Sequence, residues 1–177
     1  MNEYAYSLKL DELNVIKYEI ASAKSKQEAT RLFEDVLFDA YILGFIDVIG
    51  DATVDVDLSS MMGAVQHEYN GVSIYDTMAE YAANGSVDDI YRLLESEFHR
   101  VYNTAAYETA TREGLTRKTW RTMADDKVRD THEYLEGIAI DIGAEFITYD
   151  GDRARFPGDF GFAQNNANCR CWIEYGN

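Results

Sequence analysis

The hydrophobic pattern of the chain changes at Gly114, and this change limits the fold to helices followed by strands. Before Gly114, apolar residues recur at every third or fourth position, which places them on one face of an α-helix. After it, glycines become frequent, the only proline (Pro157) occurs, and the β-prone runs are short. The sequence therefore predicts a helical part followed by a small sheet with long connections.

Turn and cap residues place the elements along the chain. Helices are predicted over residues 11–26, 28–49, 73–83 and 86–114, with a further one that begins at Ser59. Asp11 is expected to cap the first helix and Gly50 to end the second. Strands are predicted at 138–140, 145–149 and 171–175, and residues 51–57 as an acidic loop. We predict an α+β fold: N-terminal helices, then a small, mostly antiparallel sheet with long loops.

Charge is distributed unevenly over the chain. Residues 1–90 hold 5 basic and 17 acidic residues, whereas residues 91–177 hold 11 and 15. We therefore predict an acidic helical region at 1–70 and an α+β domain at 71–177. The total charge of -16 should repel free DNA and anionic lipid, so direct DNA binding is not expected. An acidic mimic of nucleic acid is an alternative interpretation of the first region.

The cellular compartment is predicted from the length of the apolar runs and from the cysteines. The longest apolar run, residues 40–45, is far below the roughly 20 residues that a membrane span needs. No membrane association is therefore expected. The two cysteines are separated by one residue, a spacing that rarely closes a disulfide, so both are expected as thiols in a reducing compartment.

The second half carries an ordered set of short motifs. In chain order they are Glu97-x-x-Arg100, Lys118-x-Trp120, Asp126-x-x-Arg129-Asp130-x-His132, Gly137, Pro157-Gly158 and Asn168-Cys169-Arg170-Cys171. Each motif alone is common. Their order and spacing together resemble the C-terminal domain of the phage Mu F-like family of head morphogenesis proteins, over about residues 74–177. In that family the Lys-x-Trp motif lies on a strand.

The resemblance implies a minor head protein that acts in capsid assembly or in the fate of packaged DNA, near the portal vertex. It implies the portal protein or the major capsid protein as a partner, or a second copy of the chain. The implied location is the virion head, after assembly in the host cytoplasm. No cofactor and no established catalytic activity follow from it. The expected structural cluster consists of Glu97, Arg100, Trp120, Asp126, Arg129, Asp130, His132, Gly137, Pro157, Gly158, Asn168, Cys169 and Cys171.

Glu97 falls on the apolar stripe of the longest predicted helix, between Leu94 and Val101. A buried carboxylate without a partner would cost several kcal/mol. We therefore expect an arginine of the C-terminal segment, Arg121 or Arg129, to reach Glu97. The alternative is a helix edge at which the carboxylate points to water.

His132, Cys169 and Cys171 are residue types of a zinc site, but their spacing argues against one. Zinc-binding cysteine pairs usually have two residues between them, whereas C-x-C on a strand directs the two sulfurs to opposite faces. We therefore interpret both cysteines as packed thiols of a terminal strand. Asp126, Arg129 and His132 are interpreted as a polar group that fixes the glycine-rich loops.

An enzyme is the main alternative to a structural role. In a hydrolase, nuclease or toxin-like enzyme, His132 would act as general acid or base and Arg129 would stabilise a charged transition state. Asp130 and residues 168–171 would complete such a site. The sequence supplies no evident second proton-transfer group, so the assembly role is preferred.

Overall fold

The computed structural model describes residues 3–50 and 55–177, and the fold is α+β, as predicted. The elements are α1 (Glu3–Ala21), α2 (Lys26–Ile49), α3 (Leu58–Val65), β1 (Glu68–Tyr69), β2 (Val72–Ser73), α4 (Ile74–Ala83), α5 (Val87–Arg112), β3 (Arg117–Arg121), α6 (Asp130–Glu133), β4 (Ala139–Asp141), β5 (Phe146–Ile147), β6 (Arg153–Ala154), α7 (Ala163–Asn166) and β7 (Trp172–Gly176). The predicted acidic loop at 51–57 lies largely outside the described residues. Within the described ranges, no helix is long and apolar enough to cross a membrane.

Helix ends agree with the prediction where a cap fixes them. The side chain of Ser25 accepts a hydrogen bond from the Glu28 backbone at the start of α2, and Gly50 ends this helix in the left-handed conformation, with φ 72°. The predicted cap at Asp11 is wrong, because α1 already begins at Glu3. A periodic apolar pattern marks the buried face of a helix but does not by itself fix where the helix begins.

Helices α2 and α5 pack closely in the middle of the helical part. A Cβ atom added to Gly44 of α2 would lie 2.2 Å from the carbonyl oxygen of Tyr102 on α5, so only glycine permits this approach. The Tyr102 hydroxyl also donates a hydrogen bond to Asp47, one turn further along α2. Buried apolar residues of the helical core include Leu13, Ile20, Phe33, Leu37, Val65, Met78, Ile90, Leu94 and Val101.

Strand β3 is the central strand of a three-stranded antiparallel sheet with the order β4-β3-β7. The strands predicted at 138–140 and 171–175 are confirmed within one residue as β4 and β7. The run at 145–149 contributes only the short β5, which pairs with β6 in a separate sheet. Strand β3 was implied only by the family resemblance, since three of its five residues are charged.

Aromatic side chains form a second core beside the sheet. Its buried members are Trp120, Leu135, Phe146, Ala154, Phe156, Phe160, Cys169, Cys171 and Ile173. Helix α5 belongs to both cores: Leu94 lies in the helical core, and the Tyr107 ring packs on Phe156 with centroids 5.1 Å apart. The helical core draws residues from both sides of position 70, and the predicted division into two regions there stays a prediction.

Candidate functional site

Glu97 is fully buried and fully paired. Its Oε2 atom accepts a hydrogen bond from Arg100 Nε at 2.8 Å, and Oε1 accepts one from the Tyr69 hydroxyl at 2.6 Å. Arg100 in turn donates to the carbonyl oxygen of Ala64 at 3.0 Å. Burial, followed by the charge of Glu97, raises the pKa of Tyr69 well above its usual range, so its hydroxyl stays protonated and donates. These contacts join α5 to the ends of α3 and β1.

The prediction that Arg121 or Arg129 reaches Glu97 is wrong. Arg100 lies one helical turn beyond Glu97 on α5 and is therefore already next to the carboxylate. Arg121 instead donates to Glu174 at 2.8 Å and to Glu136 at 3.1 Å. Glu97 is buried as expected, but its charge is neutralised locally and not by the C-terminal segment.

The Pro157-Gly158 motif lies directly against this ion pair. Gly158 has φ 96°, and a Cβ atom there would lie 3.1 Å from the Cα atom of Arg100. Glycine is therefore needed both for the backbone conformation and for the close approach. Two motifs that are about sixty residues apart in the sequence meet at one turn of α5.

Lys118 is buried on the central strand β3. Its Nζ donates to the carbonyl oxygen of Arg155 at 2.8 Å and lies over the rings of Tyr107, at 4.9 Å from the centroid, and Phe146, at 5.4 Å. Burial, followed by the charge of Arg155, lowers the pKa of Lys118 to about 8. The ammonium ties the loop before Pro157 to the sheet.

We expect the stability of the protein to rise with pH between about 7.5 and 9.5 because of Lys118. The folded pKa is depressed, so in this window the unfolded state binds more protons, and deprotonation favours the folded state by about 1–2 kcal/mol. Lys118→Met should remove this slope in urea unfolding curves measured across the window. Lys24→Met, at an exposed lysine, is the control and should keep the slope. A wild-type curve that is flat over this range would contradict the prediction.

Trp120, His132 and Phe160 form a compact aromatic group. The His132 ring stacks on Phe160 with centroids 5.2 Å apart and an interplanar angle of 22°, and it meets Trp120 edge-on at 5.5 Å. His132 is 1% exposed and Trp120 is fully buried. Gly137, with φ 73°, donates its backbone N–H to the Trp120 carbonyl at 2.9 Å. The rings hold the short helix α6 against the sheet.

Both cysteines meet His132. The Sγ atoms of Cys169 and Cys171 each lie 3.5 Å from His132 Nδ1, and the three atoms lie within 4.8 Å of one another. The expectation that C-x-C directs the sulfurs apart is wrong, because β7 begins only at Trp172 and neither cysteine belongs to the strand. Asn168 has φ 54°, so the chain turns just before Cys169. All three groups are buried.

The two thiols differ in acidity. Burial alone would raise the pKa of Cys169, but hydrogen bonds from Cys171 and His132 lower it well below its ordinary value. The hydrogen bond to Cys169, followed by burial, raises the pKa of Cys171. As the pH rises, Cys169 is therefore deprotonated before Cys171.

Arg129 holds the loop that leads to the cysteines. Its guanidinium donates to the carbonyl oxygen of Asn165 at 2.9 Å and to that of Ala167. The exposed side chains of Asp126 and Asp130 lie at the surface instead, and Asp125 is the carboxylate that pairs with Arg170, at 2.6 and 2.7 Å. The guanidinium of Arg129 thus binds backbone carbonyl groups, which favours a structural interpretation of this motif.

Two buried polar residues, Asp152 and His99, lie outside the predicted cluster. Asp152 accepts hydrogen bonds from the backbone of Gly161 at 3.1 Å and Phe162 at 3.0 Å, and from the Asn165 side chain at 2.9 Å. His99 Nε2 donates to the Cys171 carbonyl at 2.6 Å, and burial lowers the pKa of His99. Asp152 lies in a glycine-rich loop without periodicity, so no pattern marked it as buried.

Comparisons with known proteins agree with the motif order. The family model of phage Mu protein F-like proteins matches residues 64–174. The chain is 30% identical over 83 residues to the minor head protein GP7 of Bacillus phage SPP1, covering 45% of this chain and 27% of that protein. It is 39% identical over 66 residues to the NAD(+)–arginine ADP-ribosyltransferase EFV of Enterococcus faecalis, covering 37% of this chain and 13% of the transferase. No solved structure matches the chain. The chain thus spans a small part of each of these two relatives.

Proposed function

Because the chain belongs to the family of phage Mu protein F-like proteins, we propose that it is a minor component of the phage head that acts in capsid assembly or in the fate of packaged DNA. The observation that carries this proposal is the family match over residues 64–174, which includes all the residues of the expected structural cluster. The similarity to a minor head protein of phage SPP1 supports it. The proposed location is the virion head, after assembly in the host cytoplasm.

The contacts of the motif residues support an assembly module in preference to an enzyme. The His132 ring is enclosed by Phe160 and Trp120, and the Arg129 guanidinium is engaged by backbone carbonyls. A general base and a transition-state cation must face a bound substrate. Here both side chains fix loops of the domain, and we propose that the domain presents a rigid surface to the portal protein or the major capsid protein.

Two exposed tyrosines are the first place to look for that surface. Tyr134 and Tyr149 are 59% and 65% exposed, and their rings meet edge-on with centroids 6.5 Å apart. Both lie inside the family match. Tyrosine is enriched at protein interfaces because it combines a large apolar ring with a polar end. We propose that this pair contacts the portal.

The test is a binding experiment with the portal protein of the same phage. Purified chain and portal protein are mixed, and the complex is measured by analytical ultracentrifugation. We expect a defined complex, and we expect the double variant Tyr134→Ala/Tyr149→Ala to bind about tenfold or more weakly, as for interface hot spots. Tyr18→Ala, at a tyrosine that is 58% exposed on α1 outside the family match, is the matched control and should bind as the wild type does.

The outcomes separate the function from the surface. A chain that neither associates with itself nor co-sediments with portal or heads would show that the assembly function is wrong. A complex that the double variant forms unchanged would leave the function standing and would move the contact away from Tyr134 and Tyr149. The double variant must give the circular dichroism spectrum of the wild type, since both tyrosines are exposed and are not needed for folding.

A further inference from the structure

In the second core, the sulfur atoms of both cysteines contact the same nitrogen atom of His132. Cys169 Sγ and Cys171 Sγ lie at the same distance, 3.5 Å, from His132 Nδ1. A ring nitrogen carries either one hydrogen or one lone pair in the plane of the ring, so it forms one good hydrogen bond and not two. Hydrogen bonding alone therefore leaves one of these buried contacts incompletely explained.

A tetrahedral zinc ion accounts for both contacts. With Zn–S bonds of about 2.3 Å and Zn–N bonds of about 2.0–2.1 Å, tetrahedral angles place a sulfur and a nitrogen about 3.5–3.6 Å apart. The two observed separations of 3.5 Å agree with this value. We propose that Cys169, Cys171 and His132 bind a zinc ion.

The backbone removes the objection that the C-x-C spacing raises. The left-handed Asn168 turns the chain before Cys169, and both cysteines precede β7, so their side chains are not forced to opposite faces. The residue between them, Arg170, is directed to Asp125. His99 fixes the Cys171 carbonyl at 2.6 Å. The loop therefore directs both sulfurs to the same point.

The choice of zinc follows from the ligands. Two thiolates and one imidazole form a soft set that suits zinc better than calcium or magnesium, which prefer oxygen. A divalent ion also balances the two thiolate charges, which would otherwise be costly in a buried place. Among the described residues, no fourth His, Cys, Asp or Glu side chain joins this group.

The fourth position is suited to a water molecule. The three ligand residues line a small cavity of about 10 Å³, together with Arg129 and Asn168. This is close to the minimum volume that holds one water. The Nε2 atom of His132 is buried and has no hydrogen-bond partner among the described residues. The orientation of the ring is therefore set by its packing against Phe160. The resulting site joins α6 to the segment before β7.

The test measures metal in the wild-type protein. The chain is purified under reducing conditions without chelator and dialysed, and its zinc content is measured by inductively coupled plasma mass spectrometry. We expect about one zinc ion for each chain. Replacement of zinc by Co²⁺ should give intense thiolate-to-cobalt absorption and the visible bands of a tetrahedral ion. Since Cys169 and Cys171 are the only cysteines, such absorption identifies them as the ligands.

Variants measure the contribution of each ligand. Cys171→Ser and His132→Gln should weaken Co²⁺ binding by more than the roughly 10–100-fold that changes beyond the ligands cause. His67→Gln, at a histidine outside the group, is the matched control and should bind as the wild type does. If a ligand variant does not fold, the wild-type stoichiometry and cobalt spectrum still decide the matter.

Two results would overturn the proposal. One is a reduced wild-type protein that retains no zinc after dialysis against it and gives no cobalt–thiolate absorption. The other is zinc that binds equally well to Cys171→Ser or His132→Gln, which would place the ion elsewhere. Neither result depends on binding to the portal, so this proposal and the proposed function are tested separately.

Discussion

Replacing Glu97 with alanine is expected to lower the free energy of unfolding by about 3–5 kcal/mol, as for other buried ion pairs that lose one partner. The Glu97 side chain is fully buried and that of Arg100 is 11% exposed. Alanine would leave the guanidinium without its anion in a place that water hardly reaches, and Tyr69 would lose its acceptor. The measurement is urea unfolding followed by circular dichroism at neutral pH.

A second ion pair on the same helix provides the control. Asp89 and Arg92 have the same spacing of three residues on α5, with N and O atoms 3.5 Å apart, but both side chains are largely exposed, at 47% and 71%. Asp89→Ala should therefore cost no more than about 1 kcal/mol. If Glu97→Ala lowers the free energy of unfolding no more than Asp89→Ala does, the buried pair stabilises the fold no more than the exposed pair.

A double-mutant cycle separates the pair from the rest of the site. The losses for Glu97→Ala and Arg100→Ala should not add, because each single variant removes the same ion pair and leaves the other member buried without its partner. The double variant should therefore be less destabilised than the sum of the two, by more than about 1 kcal/mol. Additive losses would mean that Glu97 and Arg100 act through their other contacts, with Tyr69 and Ala64.

The sequence predicted that Glu97 is buried but not which residue pairs with it. Burial follows from helical periodicity, since Glu97 shares a stripe with Leu94 and Val101. The choice of partner depends on side-chain rotamers and on the competition among arginines. Arg121 pairs with Glu174, which only the pairing of β3 and β7 brings close to it, and with Glu136 in the turn before β4. That pairing spans about fifty residues, and no local pattern encodes it.

The cysteine segment shows the opposite situation, in which the residue types were informative and the assumed backbone was not. A strand over residues 171–175 was predicted, and extending its alternation back to Cys169 set the sulfurs apart. The strand begins only at Trp172. Asn168 was the available signal, because asparagine is one of the few residues that readily adopt a left-handed conformation and thereby end a regular pattern.

Carboxylates of the loops were the least predictable part of the site. Asp125 and not Asp126 pairs with Arg170, and Asp152 accepts hydrogen bonds from a neighbouring loop. Loops lack a repeating geometry, so neighbouring acidic residues cannot be distinguished from the sequence. The contribution of the whole cluster to function stays a prediction, although the structure brings Gly158 to Arg100 and Cys169 to His132.

Trp120→Ala is expected to cost about 3–5 kcal/mol of folding free energy, as is usual for a buried tryptophan. Trp120 is fully buried, and its ring contacts Phe146, His132 and Phe160 with centroids 5.1, 5.5 and 5.6 Å away. Removal of the indole leaves a cavity among rigid rings, which do not collapse to fill it. Trp120→Phe keeps part of these contacts and should cost clearly less.

Trp120 belongs to the second core, beside the sheet, and not to the helical core. Its replacement should therefore destabilise the region around the sheet more than the helices. In hydrogen exchange followed by mass spectrometry, we expect the amides of β3 and β7 to lose more protection than those of α2. Trp172→Ala, at the half-buried tryptophan of β7, is the matched control and should cost less than half as much as Trp120→Ala. Equal loss of protection in α2 and β3 would contradict this prediction and would mean that α5, which contacts both cores, couples them into one cooperative unit.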